Sequence, residues 1–339
     1  MYDNLPVLDV HGHVSVPASA NTFVLRMMAT NTAISSPIGR PAAGPVPATE
    51  EEFRAAAHKH VEILDDRNID VQVIGPRPFM NLGWMEPHLL PAWAAYVNDM
   101  IHQQCGFFPD RFLGAAQLPQ DSAAEDTGHC LGELNRCVDE YGFVAAYVSP
   151  DPGGRRITPG MHEPYWYPLY ERAQELGIPL IVHGTNSLDP RFRVVPHNYQ
   201  LGFVTEQYLA GQFLSHGDVF DRYPELKVII CHCGGALDRF IATDHHIAQR
   251  DLSDNLFYDT CGYDLNFLEA AIKQRGVERM VFGSEAPGSG NAVRPDTGRT
   301  SDDLVPVIAG FGFLTRKDKV KILNTTPAKI IPALAKTSR

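Results

Sequence analysis

The sequence has no uninterrupted apolar run approaching the about 18 residues that a membrane-spanning helix needs, so no membrane partner is expected. Its opening, MYDNLPVLDV, lacks both a basic stretch and a long apolar core, which argues against a secretory signal. Cysteine is sparse: the six residues are scattered, with no CxxC pair and no small-domain disulfide framework. Reduced thiols in a cytoplasmic protein are the expectation. Positive charge is in the minority, 29 Lys and Arg against 40 Asp and Glu, for a net charge of −11. Such a surface repels phosphate backbones, so no nucleic-acid partner is expected, although a local basic pocket can still hold a small anionic substrate. No G-x-G-x-x-G opens a helix after the first strand, which speaks against a dinucleotide cofactor. No G-x-S-x-G elbow is present either, and Ser284 in GSE is not a substitute for one.

What is present is alternation. Short β-rich runs, at Pro6–His13, Asp70–Gly75, Phe112–Leu118, Phe143–Ser149, Ile178–Gly184, Lys227–His232, Asn255–Thr260 and Arg279–Ser284, are separated by longer stretches. Helical patterns fill several of these, at Glu51–Asp66, Pro91–Cys105, Ala123–Glu140 and Pro164–Glu175. This pattern predicts a parallel sheet with crossover helices, and its unit count fits an α/β fold of the (β/α)8 TIM-barrel type. A doubly wound open sheet is the structural rival. No internal repeat or charged linker divides the chain, so one domain over 1–339 is expected. Thr30–Thr49, rich in Ala, Pro, Gly and Ser, follows the first strand and reads as a lid-like insertion or a plain surface excursion.

The ionisable residues fall at the ends of apolar strands. His11 and His13 close the first run, and period-two alternation points both imidazoles the same way. Neutral imidazole is a common ligand for zinc and similar metals. His183 ends Ile178–Val182, His232 ends Val228–Cys231, and Glu285 follows Met280–Ser284. Such groups are costly to bury without partners, and in a barrel the strand ends share one mouth where a metal would satisfy several of them. The cysteines of Cys231-His232-Cys233 read as small packing residues on the face opposite His232. His162 and His197, in or near loops after strands, could also reach a substrate; His58 and His60, two apart on a helix, face different ways. Arg77 lies two residues beyond the second run, Arg191 and Arg193 follow His183, and Arg294 follows Glu285. Guanidinium forks suit carboxylates, so these four are the candidate substrate-binding residues.

The stretches LDVHGHV, LIVHGT, IICHCGG and VFGSEAP resemble four signatures of the amidohydrolase superfamily, in the branch that includes metal-dependent decarboxylases and hydratases. The resemblance runs from the first strand to about Pro327. GPRPF, SPDP, YWYPLYE and FGSEAPGSG add to it. Glu285 stands where most relatives carry aspartate, as in the hydratase branch. Ser149 and Ala286 depart from that branch, where asparagine and cysteine are usual. The resemblance implies one divalent metal ion, zinc or alternatively manganese, held by His11, His13, His183 and Glu285, with His232 beside it. It further implies a lyase that hydrates a small unsaturated polycarboxylate in aromatic-compound catabolism, with Glu285 and His232 as proton carriers. A non-oxidative decarboxylase is the alternative, followed by a hydrolase of a C–N, ester or C–C bond. The oligomeric state is left open, a homo-oligomer included.

Overall fold

The structure, a computed structural model, describes residues 1–18, 20, 48–194, 200–239 and 250–337. Eight parallel strands lie side by side in chain order: β1 Leu8–His13, β2 Val71–Gly75, β3 Phe112–Gln117, β4 Ala145–Val148, β5 Leu180–Val182, β6 Val228–Ile230, β7 Leu256–Asp259 and β8 Met280–Val281. Two hydrogen bonds close the ring, from Val10 N to Phe282 O and from Glu285 N to His11 O, both 2.9 Å. Sequential order with closure is the (β/α)8 barrel and rules out the doubly wound sheet, whose strand order reverses.

The intervening helices include α1 Glu50–Asp66, α2 Leu90–Phe107, α3 Leu131–Tyr141, α4 Tyr167–Leu176, α5 Gln200–His216 and α6 Leu265–Arg275. Thr49 starts α1 with a capping box to Glu52, and three glutamates in the first turn complement the helix dipole. α1 turns Ala57, His60 and Leu64 inward, the helical repeat of a buried stripe. No described helix is long and apolar enough to cross a membrane. The insertion expected at 30–49 lies outside the described residues except for Ala48 and Thr49, which lead into α1.

The barrel interior follows from counting by two. Val71 and Val73, Ala115, Ala145 and Tyr147, Ile181, Ile229 and Cys231, Phe257, and Val281 fill it, with Ile330, Ile331 and Leu334 packed against them. Continuing each strand upward by two brings Gly75 and Arg77, Gln117, Ser149, His183, Asp259, and Gly283 and Glu285 to the inward positions at the C-terminal mouth. β1 breaks this parity. Its interior residues are Leu8 and Val10, yet His11 and His13 also face inward. The cause is a bulge: Asp9 pairs with Gln72 and Gly12 with Ile74, three steps on β1 against two on β2. One extra residue moves both imidazoles to the mouth. Gly12 sits where a Cβ would overlap the Gln72 carboxamide at 2.2 Å, so that side chain occupies the space a larger residue would need.

The expected strand Lys227–His232 ends early, at Ile230. From there the chain turns through left-handed φ values at His232 (54°), Cys233 (57°), Gly234 (84°) and Gly235 (78°). Alternation therefore does not separate Cys231 and Cys233 from His232, as an extended strand would require.

Candidate metal centre

The four strand-end residues singled out by sequence come together. One ligand-capable atom each from His11, His13, His183 and Glu285 lies within 4.8 Å of the others, and all four residues are buried. His232 joins them: its ring centroid is 4.9 Å from that of His183 and 5.3 Å from that of His11. Glu285 Oε1 lies 3.3 Å from His13 Nε2, 3.9 Å from His183 Nε2 and 3.8 Å from His232 Nε2.

Each of the three outer histidines has its tautomer fixed from behind. His11 Nδ1 meets Asp259 Oδ2 at 2.7 Å, His13 Nδ1 meets the Pro76 carbonyl at 2.8 Å, and His183 Nδ1 meets the Gly184 carbonyl at 2.7 Å. A carbonyl or a carboxylate only accepts, so Nδ1 carries the proton and Nε2 presents a lone pair to the centre. Burial lowers all three pKa values, His13 and His183 to about 4, which keeps the rings neutral. For Glu285 burial works upward, but the surrounding imidazoles outweigh it and hold the carboxyl well below its usual range. Three lone pairs and a carboxylate oxygen thus converge with no donor between them. His11 Nε2 and His183 Nε2 are buried without a hydrogen-bond partner among the described residues. Orphaned acceptors facing an anion are unfavourable unless a cation lies between them. This donor set fits a divalent ion, and its mix of nitrogen and oxygen suits zinc or manganese.

Glu285 is held at a left-handed φ of 56°, and its second oxygen is occupied. Oε2 accepts from Tyr263 OH at 2.9 Å and from Ser289 Oγ at 2.7 Å. Ser289 lies in the stretch FGSEAPGSG, which assigns it no role of its own, and Tyr263 lies in a loop without a motif. Behind Glu285, Asp9 accepts from the Ser284 hydroxyl and from Gln72 Nε2, and Gln72 continues to His60 at 2.8 Å. His60, bland by its helical position, is one of the most buried histidines of that side. Asp259 was also missed, although it ends the apolar run Leu256–Tyr258 as the chosen residues end theirs. Gly283 allows its approach: a Cβ there would lie 2.8 Å from Asp259 Cβ and 2.9 Å from His11 Cβ.

His232 differs from its neighbours. Its Nδ1 faces the Gln207 carboxamide, 2.9 Å from Nε2 and 3.1 Å from Oε1. A carboxamide can donate or accept, so neither tautomer is imposed. Burial lowers the His232 pKa, but Glu285 and Asp259 outweigh it and the net direction is upward.

The arginines divide. Arg77 is half-buried, and among the described residues its guanidinium makes one hydrogen bond, from Nε to the Val14 carbonyl at 2.9 Å. It lines a small cleft together with Gln117, Gln120, Tyr147, Ser149 and His183. Arg191 is exposed and clamped to Asp189. Arg294 turns its guanidinium onto the carbonyls of Thr300 and Ser301, where it ties its own loop. The side chain of Arg193 and all of His197 lie outside the described residues, and His162 packs on Phe213 at 4.8 Å.

The relatives agree with this architecture. A 2-keto-4-carboxy-3-hexenedioate hydratase of Sphingobium sp. SYK-6 is 30% identical, with 97% of this chain and 96% of that protein covered. The crystal structure of a 4-oxalomesaconate hydratase from Rhodopseudomonas palustris superposes with a TM-score of 0.80 at 29% identity, covering 97% of both chains. A dihydroxybenzoic acid decarboxylase from Polaromonas sp., solved with bound manganese and 2-nitroresorcinol, shares the fold at a TM-score of 0.69 and 20% identity, covering 99% of this chain and 98% of that one. The amidohydrolase family model matches residues 8–332, and the chain belongs to that family.

Proposed function

We propose that the chain is a metal-dependent hydro-lyase that adds water across the carbon–carbon double bond of a small unsaturated polycarboxylate, in the manner that the names of its two hydratase relatives describe. The observation that carries this reading is the placing of Arg77, free at its terminal nitrogens among the described residues, in a cleft whose other wall is His183. An anionic substrate docked on Arg77 presents its unsaturated end to the lone-pair cluster. His11, His13, His183 and Glu285 would hold the ion. When bound, it supplies Lewis acidity, which makes water more acidic and polarises a carboxylate or carbonyl oxygen.

The remaining work falls to the chain itself. His232 takes the proton from water as the new C–O bond forms, and returns it to the adjacent carbon. Atoms balance: one water is consumed and no other group leaves. Gln207 suits His232 to this exchange, because it can pair with Nδ1 in either tautomer. Glu285 serves as an anion fixed by Tyr263 and Ser289, which leaves Oε1 as its one oxygen turned to the centre.

Decarboxylation of an aromatic or unsaturated acid is the second reading, favoured by the shared fold of the manganese-bound decarboxylase. Incubating zinc- and manganese-loaded protein with unsaturated di- and tricarboxylic acids in isotopically labelled water separates the two. Gain of one labelled water with no carbon dioxide supports the hydro-lyase. Release of carbon dioxide supports the decarboxylase, and splitting of an ester or amide would support a hydrolase instead.

A further inference from the structure

Glu285 keeps a backbone conformation that its own side chain opposes. A left-handed φ of 56° is unfavourable for a residue with a Cβ, and it persists where the surroundings impose it. They impose it from both flanks. Before Glu285, Ser284 donates its backbone N–H to Asp9 Oδ1 at 3.2 Å and its hydroxyl to Asp9 Oδ2. After it, Ala286 donates its N–H to Ser284 Oγ at 3.0 Å. The Ala286 carbonyl accepts from Gln72 Nε2 at 2.8 Å and from His60 Nε2 at 3.1 Å.

His60 stands at the far end of this clamp. It lies on α1, is 1% exposed, and has partners at both ring nitrogens. The direction of each bond follows from a backbone group. Ser15 N donates to Gln104 Oε1 at 2.7 Å, so the same carboxamide turns its Nε2 to His60 Nδ1, 3.0 Å away. His60 Nδ1 therefore accepts, with the Ser15 hydroxyl also 3.0 Å from it. The ring proton sits on Nε2, where Gln72 Oε1 at 2.8 Å and the Ala286 carbonyl share it. Gln72 then has its Nε2 left for Asp9 Oδ2 at 2.9 Å and for the same carbonyl. Asp9 also accepts from His11 N at 2.9 Å, so the chain ends on the backbones of two ligand residues' strands, β1 and β8. Burial pushes the His60 pKa down to about 3, which keeps the ring neutral and leaves it one proton to give. A buried network satisfied in one orientation specifies one arrangement of the groups it joins.

We propose that His60 is a positioning residue for Glu285: its Nε2–H, given to the Ala286 carbonyl and through Gln72 to Asp9, holds the left-handed turn that aims Glu285 Oε1 at the ion. The inference rests on the four-ligand centre. None of the four ligand side chains is among the hydrogen-bond partners of His60 in the described residues, so it acts on the centre through others.

Two substitutions divide the ring. His60→Gln sets an amide N–H near the position of Nε2 and gives up the Nδ1 side. His60→Asn does the reverse: it keeps a polar group toward Gln104 and Ser15 and withdraws from Ala286. Both are compared with the wild type as full chains loaded with zinc, or with cobalt(II), whose visible absorption reports the ligand geometry around the ion. His60→Gln should keep the cobalt spectrum and hold zinc within about threefold of the wild type, because the supporting donor remains. His60→Asn should change the spectrum and weaken zinc about 10- to 100-fold, the usual effect of losing such support. A residue that only stabilises the fold would lower Tm in both variants and move neither spectrum. Nitrogen NMR of the wild-type imidazoles should find the His60 proton on Nε2, and decides the matter where a variant does not fold. A proton on Nδ1 overturns the positioning role, as do spectra and affinities that the two variants change alike, in the opposite order or not at all. Glu285→Ala guards the premise: if it keeps the wild-type spectrum and affinity, Glu285 is no ligand, and the four-ligand centre falls together with the inference.

Discussion

His11 and Asp259 share a hydrogen bond of 2.7 Å, Nδ1 to Oδ2, and neither side chain is reached by solvent. Burial would raise the Asp259 pKa, but the His11 hydrogen bond outweighs it and the net shift is downward, so the pair is an anion behind a neutral ring. That anion fixes the tautomer and makes Nε2 a stronger donor to a cation. Asp259→Asn keeps the shape and removes the charge. Its metal affinity should fall about 10- to 100-fold, the usual effect of losing such a partner. Competition with a chromogenic chelator measures it, and an unchanged dissociation constant would remove Asp259 from the metal's support.

Gly283 makes that pairing possible. Gly283→Ala places a methyl 2.8 Å from Asp259 Cβ and 2.9 Å from His11 Cβ, inside van der Waals contact. The strain should cost about 1–3 kcal/mol, as overpacking usually does. Thermal melts with and without excess zinc should show a lower Tm and a smaller metal-induced gain than the wild type.

Gln207 supports a different function. Gln207→Met fills the same space but cannot pair with His232 Nδ1. Turnover of the unsaturated acid should fall about 10-fold or more, with metal content preserved, because proton transfer rather than metal binding is disturbed. A variant that loses its metal would instead place Gln207 among the metal's supports.

Much of this site is written where strands end. Counting by two along apolar runs leads to His183, Glu285 and Ser149, and the same count leads to Asp259 and Gln117, which the motif-centred reading passed over because Asp and Gln at a strand end are common. Other parts depend on contacts that strand alternation does not encode. Tyr263 and Ser289 reach Glu285 from two separate loops, and Gln207 reaches His232 from the middle of a helix. The bulge in β1 is invisible in the pattern LDVHGH, since apolar and histidine side chains both face inward there. The end of β6 was overread because Cys231 continues the apolar run, while the left-handed turn that follows begins at a histidine and a cysteine rather than at its glycines.

The central claim is that His183 holds the ion while His232 moves the proton, and metal content measured beside turnover tests it most directly. Wild-type protein, purified without chelator, should carry about one divalent ion per chain, as a catalytic four-ligand site does. His183→Ala should lose metal and activity together. His232→Ala should keep the ion and lose about 10²- to 10⁴-fold in kcat, the loss expected for a general acid or base. Loss of the ion from His232→Ala with retention by His183→Ala would contradict the account and exchange the roles of the two histidines.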